Sequence, residues 1–215
     1  MTVSNCFCRS FAVMIKWMAF IGMMLCGTML FAQTTTVTNP VNDSVKAKWG
    51  KIKIVDGVKM ISSNDIIENI QLSKEYSTLV SVINDAGLTE TFKSKGPITV
   101  FAPTNEAFNK LPPGKLDTLL RPDHKDYLSY LLTYHAIAGR LTSKDIAHKI
   151  NSNNGIAVLT TLAGSKITAT IDENRNIVLT DENGGQSINS RFDIAQSNGI
   201  LDIVTAVLVP KPKAI

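Results

Sequence analysis

The sequence predicts an α+β fold in which short helices come first and a meander of strands follows. Tyr76, Leu79, Val80 and Ile83 fall at i, i+3, i+4 and i+7, one apolar stripe of a 3.6-residue period. From Gly155 onward the texture changes to short β-branched runs separated by Gly, Asp and Asn turns. A final apolar run, Ile200 to Val209, is bounded by Asn198-Gly199 and Pro210 and returns a last strand to the core.

The whole-chain averages mix two unlike segments. The 215 residues carry 22 Lys+Arg, 18 Asp+Glu and three Cys, a formal net charge of +4. Residues 1–32 hold all three Cys (Cys6, Cys8, Cys26), six of the seven Met, two positive charges (Arg9, Lys16) and no acid. Removing 2 of 22 basic groups and none of 18 acidic ones leaves 20 against 18, a net of +2 without cysteine. Disulfides and thiolate metal sites are therefore excluded for residues 33–215. A balance so near neutrality also argues against a nucleic-acid partner, which needs a concentrated basic face.

Trp17 to Ala32 is uncharged and mostly apolar and follows Lys16. As a helix it spans about 24 Å, short of the roughly 30 Å hydrocarbon core, so it reads as a signal peptide rather than a permanent anchor. Residues 1–32 are expected to be removed after Ala32. Met14 offers an alternative start. Cys26 invites a lipoprotein reading, against which Leu25 stands where a small residue is wanted. Any membrane contact would come from this segment if it stays uncleaved, and a secreted, periplasmic or cell-surface location follows from it.

Residues 33–56 read as an extended spacer, with any local order centred on Trp49 and Ile52–Val55. The folded domain is expected over 57–211, with 212–215 a tail. Ser63 or Asn64 would cap a first helix carrying Ile66, Ile67 and Ile70. Gly87 ends the helix of the Tyr76 stripe. Leu88–Lys95 leads to the turn Gly96-Pro97. Ile98-Thr99-Val100-Phe101-Ala102 is a buried strand that Pro103 stops, and Thr104 or Asn105 caps a short helix with Ala107 and Phe108. Pro122 opens the helix of Tyr127, Leu128, Leu131 and Leu132. Thr133 to Ala138 reads as extended, and Ser143 caps a helix with Ile146 and Ile150 facing in. Strands follow at Ile156–Leu162, Lys166–Ile171 and Asn176–Thr180, and Ser187–Ala195 alternates unevenly before the closing strand.

Three segments then carry specific words. Gly96-Pro97-Ile98-Thr99-Val100-Phe101-Ala102-Pro103-Thr104-Asn105-Glu106-Ala107-Phe108 closely resembles the first signature box of the fasciclin-like domain. Leu132-Thr133-Tyr134-His135-Ala136-Ile137-Ala138-Gly139 is similar to that family's central Tyr-His segment. Ser197-Asn198-Gly199-Ile200 through Val207-Leu208-Val209-Pro210 is similar to its closing box. The resemblance implies a wedge of two small β-sheets flanked by short helices, in secreted or surface-attached proteins that mediate adhesion. Within the closing box the family has a His and an Asp where this chain has Asp202 and Thr205, which puts an adhesive role for the middle of that box in doubt.

Of these residues, Tyr134 and His135 are the candidate binding pair, because the resemblance ties them to adhesion. Their bland alternative is structural, with the Tyr134 hydroxyl and the His135 imidazole both hydrogen-bonded. On an extended segment the two would point to opposite faces. Thr99, Phe101, Ala102, Pro103, Thr104, Phe108, Asn198 and Gly199 read as structural. His124, His135 and His148 lack the spacing of a zinc site, and Asp172-Glu173-Asn174 and Asp181-Glu182-Asn183-Gly184 read as solvated turns rather than calcium loops. No enzyme motif and no cofactor are implied. The expected function is a non-enzymatic adhesion or interaction module for a cell-surface or matrix protein or polysaccharide. The alternative is a carrier of a small lipophilic ligand held between helices and sheet.

Overall fold

The computed structural model describes residues 50–94 and 96–212. The expected leader, most of the spacer and the end of the tail lie outside them. Order begins ahead of Gly57, because Ile52–Val55 (β1) pairs antiparallel with Val58–Ile61 (β2). Asp56 and Gly57 between them both have positive φ, the two-residue turn that Asp-Gly favours.

Helix α1, Ile66–Gln71, is capped by Asp65, not by Ser63 or Asn64. The Asp65 carboxylate accepts from Glu68 N (2.8 Å) while the Glu68 carboxylate accepts from Asp65 N (2.9 Å), a reciprocal capping box. A 3₁₀ turn leads into α2, Ser77–Ala86, which ends on left-handed Gly87 as its stripe predicts. A short helix not foreseen in the sequence, α3 (Thr89–Lys93), places Phe92 in the core. Strand β3 is Ile98–Pro103, and Thr104 caps α4 (Asn105–Asn109) through its hydroxyl. After α5 (Lys115–Leu119) and a 3₁₀ turn at Pro122–His124 comes α6, Lys125–Tyr134. The sequence expects an extended chain from Thr133. Instead the helix runs on through Tyr134, and only Ala136–Ala138 (β4) is a strand. Thr142, one residue before the expected cap, closes a capping box with Asp145 on α7, Ser143–Ser152.

The meander is β5 (Ala157–Thr160), β6 (Lys166–Ile171), β7 (Ile177–Thr180), β8 (Gln186–Gln196) and β9 (Gly199–Val204). The closing strand is shorter than its apolar run, ending at Val204 instead of Val209. Seven strands take the order β4-β3-β9-β8-β7-β6-β5, with β3 and β9 parallel, and the β1-β2 hairpin forms a separate sheet. β8 serves both halves of the larger sheet: Gln186–Ile188 pair with β7, and Asn189–Gln196 pair with β9. Two irregularities, around Arg191 and around Asp193 with its φ of 58°, re-aim the strand between these roles. The two outermost strands approach each other where Leu162 N donates to Ala136 O (2.7 Å).

Two apolar cores lie on either side of the β3–β9 pair. Ile98, Val100, Ala102, Leu201 and Ile203 face the first, with α1, α2 and α6. Phe101 and Val204 face the second, with Tyr134, Ile146 and Ile150 of α7 and the inner residues of β5–β7. β3 is therefore buried on both faces, which explains why it carries no charged residue and its one polar side chain, Thr99, is hydrogen-bonded.

Candidate functional site

The three sequence boxes converge on one region. Thr99 is fully buried; its hydroxyl donates to Gly139 O and accepts from Leu141 N, both at 2.8 Å. The first box thus fixes the turn leaving β4. Ala102 and Phe108 are buried, Pro103 ends the strand, and the Thr104 hydroxyl accepts from Ala107 N (3.3 Å).

Tyr134 and His135 sit at the end of α6 and are buried, at 0% and 4% exposure. Because Tyr134 is helical and His135 is the C-cap, the opposite-face geometry of an extended pair does not apply. Their rings meet edge to face at 6.4 Å. The Tyr134 hydroxyl donates to Lys166 O (2.8 Å) and accepts from Glu182 N (3.3 Å). Burial pushes its pKa up. His135 Nδ1 lies 2.9 Å from Leu131 O, and Nε2 accepts from Leu208 N at 3.0 Å. That pairing fixes a neutral ring with its proton on Nδ1. Together the two side chains hold β6, the turn after β7 and the segment after β9 in place, leaving no ring nitrogen for general-base chemistry.

The Asp181–Gly185 turn is a second clamp, where the sequence suggests only a solvated turn. Asp181 is buried; one carboxylate oxygen accepts from Asn183 N and Gly185 N, and the other from Val209 N (2.9 Å). The pairing of β8 with β9 and the bonds from Thr205 N to Ile188 O and Ala206 N to Ser187 Oγ bring Val209 to this turn, so local composition carries no sign of it. The Asp172 turn keeps its solvated character.

Asn198 answers for its box in the same way. Its Nδ2 donates to Phe92 O (2.7 Å), and its Oδ1 accepts from Ile66 N (3.2 Å), an orphan donor in the first turn of α1. Asn198→Ala strands both groups in the interior. It is expected to cost about 1–3 kcal/mol, read from the urea midpoint.

Of the two departures in the closing box, Asp202 is interior and Thr205 is half-buried at the cleft beside the first box. Thr205 Oγ1 accepts from Ile188 N (3.1 Å). Asp202 is fully buried and accepts from Asn189 Nδ2 (2.8 Å) and Asp193 N (2.9 Å). Burial raises its pKa to about 6, against the hydrogen bonds from Asp193 N and Asn189 Nδ2 that favour the carboxylate; the Asp193 charge adds to the rise and Lys53 opposes it. Burial lowers His135 to about 4.

These two groups act on stability in opposite senses. The neutral His135 contributes fully above its unfolded pKa and loses that contribution as pH falls toward 4. A raised Asp202 favours the fold most when protonated and loses that contribution as pH rises toward 6. Each neutral form is favoured by about 3 kcal/mol in the fold, so across pH 4–6 the two contributions largely offset. Asp202→Asn removes one arm. Its unfolding free energy, measured in urea at several pH values, is expected to fall between pH 6.5 and pH 4 by about 3 kcal/mol more than that of the parent protein. Parallel profiles would refute this.

His124 is partly exposed at the start of α6 and His148 is exposed on α7, so neither joins His135. Among the described residues no group of three or more His, Cys, Asp or Glu is placed to hold a metal ion. A cleft of about 320 Å³ beside the first box is lined by Asp56, Glu75, Glu106, Lys110 and Arg191 among others, and is polar.

The Fasciclin domain family model matches residues 74–210. The chain belongs to the fasciclin domain family. Protein sll1483 of Synechocystis sp. is 33% identical over 160 residues, covering 74% of this chain and 81% of that protein. Transforming growth factor-beta-induced protein ig-h3 of Oryctolagus cuniculus is 30% identical over 172 residues, 77% of this chain but 22% of that protein. Among solved structures, a FAS1 domain pair from the insect cell adhesion molecule Fasciclin I aligns with a TM-score of 0.49 at 25% identity. It covers 59% of this chain and 42% of that one. The family's boxes are here largely a framework: Thr99, Phe101, Ala102, Phe108, Tyr134, His135, Asn198 and Gly199 are buried, Pro103 ends a strand and Thr104 caps a helix.

Proposed function

We propose that this fasciclin domain is an exported, non-enzymatic interaction module that binds a protein or polysaccharide of a cell surface or extracellular matrix. The observation that carries the reading is the family match across residues 74–210. Burial of Tyr134 and His135 supports an indirect role for the pair: they set the backbone of the segments around them, and a partner meets those segments. With both His135 nitrogens committed to backbone, the side chain best suited to hydrolysis is occupied. A lipophilic carrier needs an apolar cavity between helices and sheet. The cleft beside the first box is lined by charge, which weighs against that cleft as the carrier's pocket.

The test is a pull-down with the purified domain against cell-surface and matrix extracts. The expected result is a macromolecule retained saturably and released by excess soluble domain. Retention of small lipophilic molecules alone would overturn the reading. Tyr134→Phe separates the indirect role from direct contact. Losing the hydroxyl's bonds at Lys166 and Glu182 is expected to cost about 1–2 kcal/mol of stability, with partner affinity falling only as these segments loosen. Abolished binding at unchanged melting temperature would show that the pair touches the partner.

A further inference from the structure

The larger sheet has two ends, β4 and β5, and among the described residues both leave backbone groups without a strand partner. Odd-numbered residues of β4 face β3: Phe101 N donates to His135 O and Gly139 N to Pro97 O, with Ile137 opposite Thr99. Alternation therefore turns the N–H and C=O of Ala138 away from β3. On β5, Thr161 N donates to Ser165 O, and Leu159 and Ala157 stand opposite Ile167 and Ala169. The outward groups there belong to Val158 and Thr160. Leu162 N, next in the same phase, reaches Ala136 O, so the two edges touch at one end and part at the other. Between them is a groove of about 300 Å³ lined by Ile137, Ala138, Val158 and Leu159, with Arg140 and Lys149 as its charged lining. Among the described residues no carboxylate lines it.

Edge strands are ordinarily blunted by a charge, a proline or a covering element. Ile156 to Leu162 contains no charged residue and no proline, and Ile156, Val158 and Leu162 are 50%, 56% and 42% exposed. Such an edge is a template for one more strand.

We propose that the β5 edge is a strand-addition site for an extended peptide of a partner protein that carries acidic side chains. Main-chain bonds to Val158 and Thr160 would set its register, and its β-branched side chains would rest on Val158 and Ile156. Its carboxylates would meet Lys149 and Arg140. Lys149 is the more available of the two, since Arg140 Nη2 is already bonded to Gln196 O and Ser197 O. This rests on the interaction-module reading and names the site and partner class within it.

The probe is the capped peptide Glu-Val-Thr-Val-Thr-Glu, titrated into the isotope-labelled protein and followed by amide NMR. Its control has Lys in place of both Glu. Shifts centred on Val158, Thr160 and Ala138, with slowed exchange of those amides, are expected, and the Lys peptide is expected to bind about threefold more weakly. Val158→Pro removes an outward N–H that the fold does not use and is expected to weaken binding at least about tenfold. Lys149→Glu, a change at an exposed position, is expected to reverse the charge preference.

Shifts confined to other surfaces would overturn the proposal, as would unchanged affinity in Val158→Pro with unchanged preference in Lys149→Glu. A dimer of the unliganded protein that Val158→Pro dissolves would assign the edge to a second copy instead. Displacement of the peptide by an acidic polysaccharide, with no protection of the three amides, would assign the groove to that class. If the pull-down retains a macromolecule that Lys149→Glu captures equally well, this site is wrong and the module reading stands. If nothing macromolecular is retained, the module reading fails whatever the peptide does.

Discussion

Gly199→Ala is expected to yield no folded protein. Gly199 opens β9 directly opposite Ile98 of β3, in the parallel pair between the two cores. A Cβ built there overlaps Ile98 O and comes within 2.9 Å of Ile98 C and 3.1 Å of Ile98 N. All three are backbone atoms, so no side chain can swing aside. Relief requires parting β3 from β9, which breaks the ladder at its start and separates Asn198 from Ile66 and Phe92. The glycine is needed for space, since its φ is not among the positive values. A loss beyond about 4–5 kcal/mol is exceptional for one methyl group, and this contact has the geometry to reach it. The measurement is near-UV circular dichroism and amide dispersion of the refolded variant; a native spectrum with a melt near the parent's would refute it. Gly57→Ala is the control for glycine loss itself, because nothing lies within 4 Å of its Cβ position and only its φ of 79° is strained.

Much of this framework is legible in the sequence, and what is not has a physical cause. Pro103 and Thr104 mark their boundaries because a proline stop and a hydroxyl cap act on neighbours within three residues. The Tyr76 stripe and Gly87 do so for the same reason. The caps of α1 and α7 fall at Asp65 and Thr142, near the expected residues, since runs such as Ser63-Asn64-Asp65 offer several acceptors. Only the reciprocal bond from Glu68 or Asp145 selects one.

Tyr134 illustrates the harder failure. Thr133, Tyr134 and His135 are indifferent helix formers after a leucine stripe, and their local sequence reads as strand. Tertiary bonds from Lys166 and Glu182 to the hydroxyl, and from Leu208 to the imidazole, favour the extra helical turn. Ile200–Val209 fails in the same manner. Its apolar run continues past Val204, while the chain leaves the sheet so that Leu208 and Val209 can reach His135 and Asp181. As for the candidate pair, the sequence identifies Tyr134 and His135 as special and allows for both being bonded. It cannot show that they hold three separate segments, because all three lie more than thirty residues away.

Phe101→Ala is expected to cost about 3–5 kcal/mol. Phe101 is fully buried and enters the second core, while its neighbours Val100 and Ala102 enter the first. A truncated ring there is not refilled easily. β3 is central, held by β4 on one side and β9 on the other, so the backbone cannot sink into the void. The surrounding residues include Tyr134, Val204 and Leu208, each fixed by the ladder or by hydrogen bonds. The cost should therefore carry a full cavity term on top of the lost transfer energy. It should also have a local signature: with the ring gone, the supports of the Tyr134–His135 clamp loosen, and the amides of Leu208 and Glu182 should exchange faster than those of α2 in the first core. Urea unfolding gives the magnitude, and native-state hydrogen exchange gives the location. A melt like the parent's would remove Phe101 from the core. A large loss with uniform exchange across both cores would show that the two fold as a single unit, with β3 carrying the strain from one to the other.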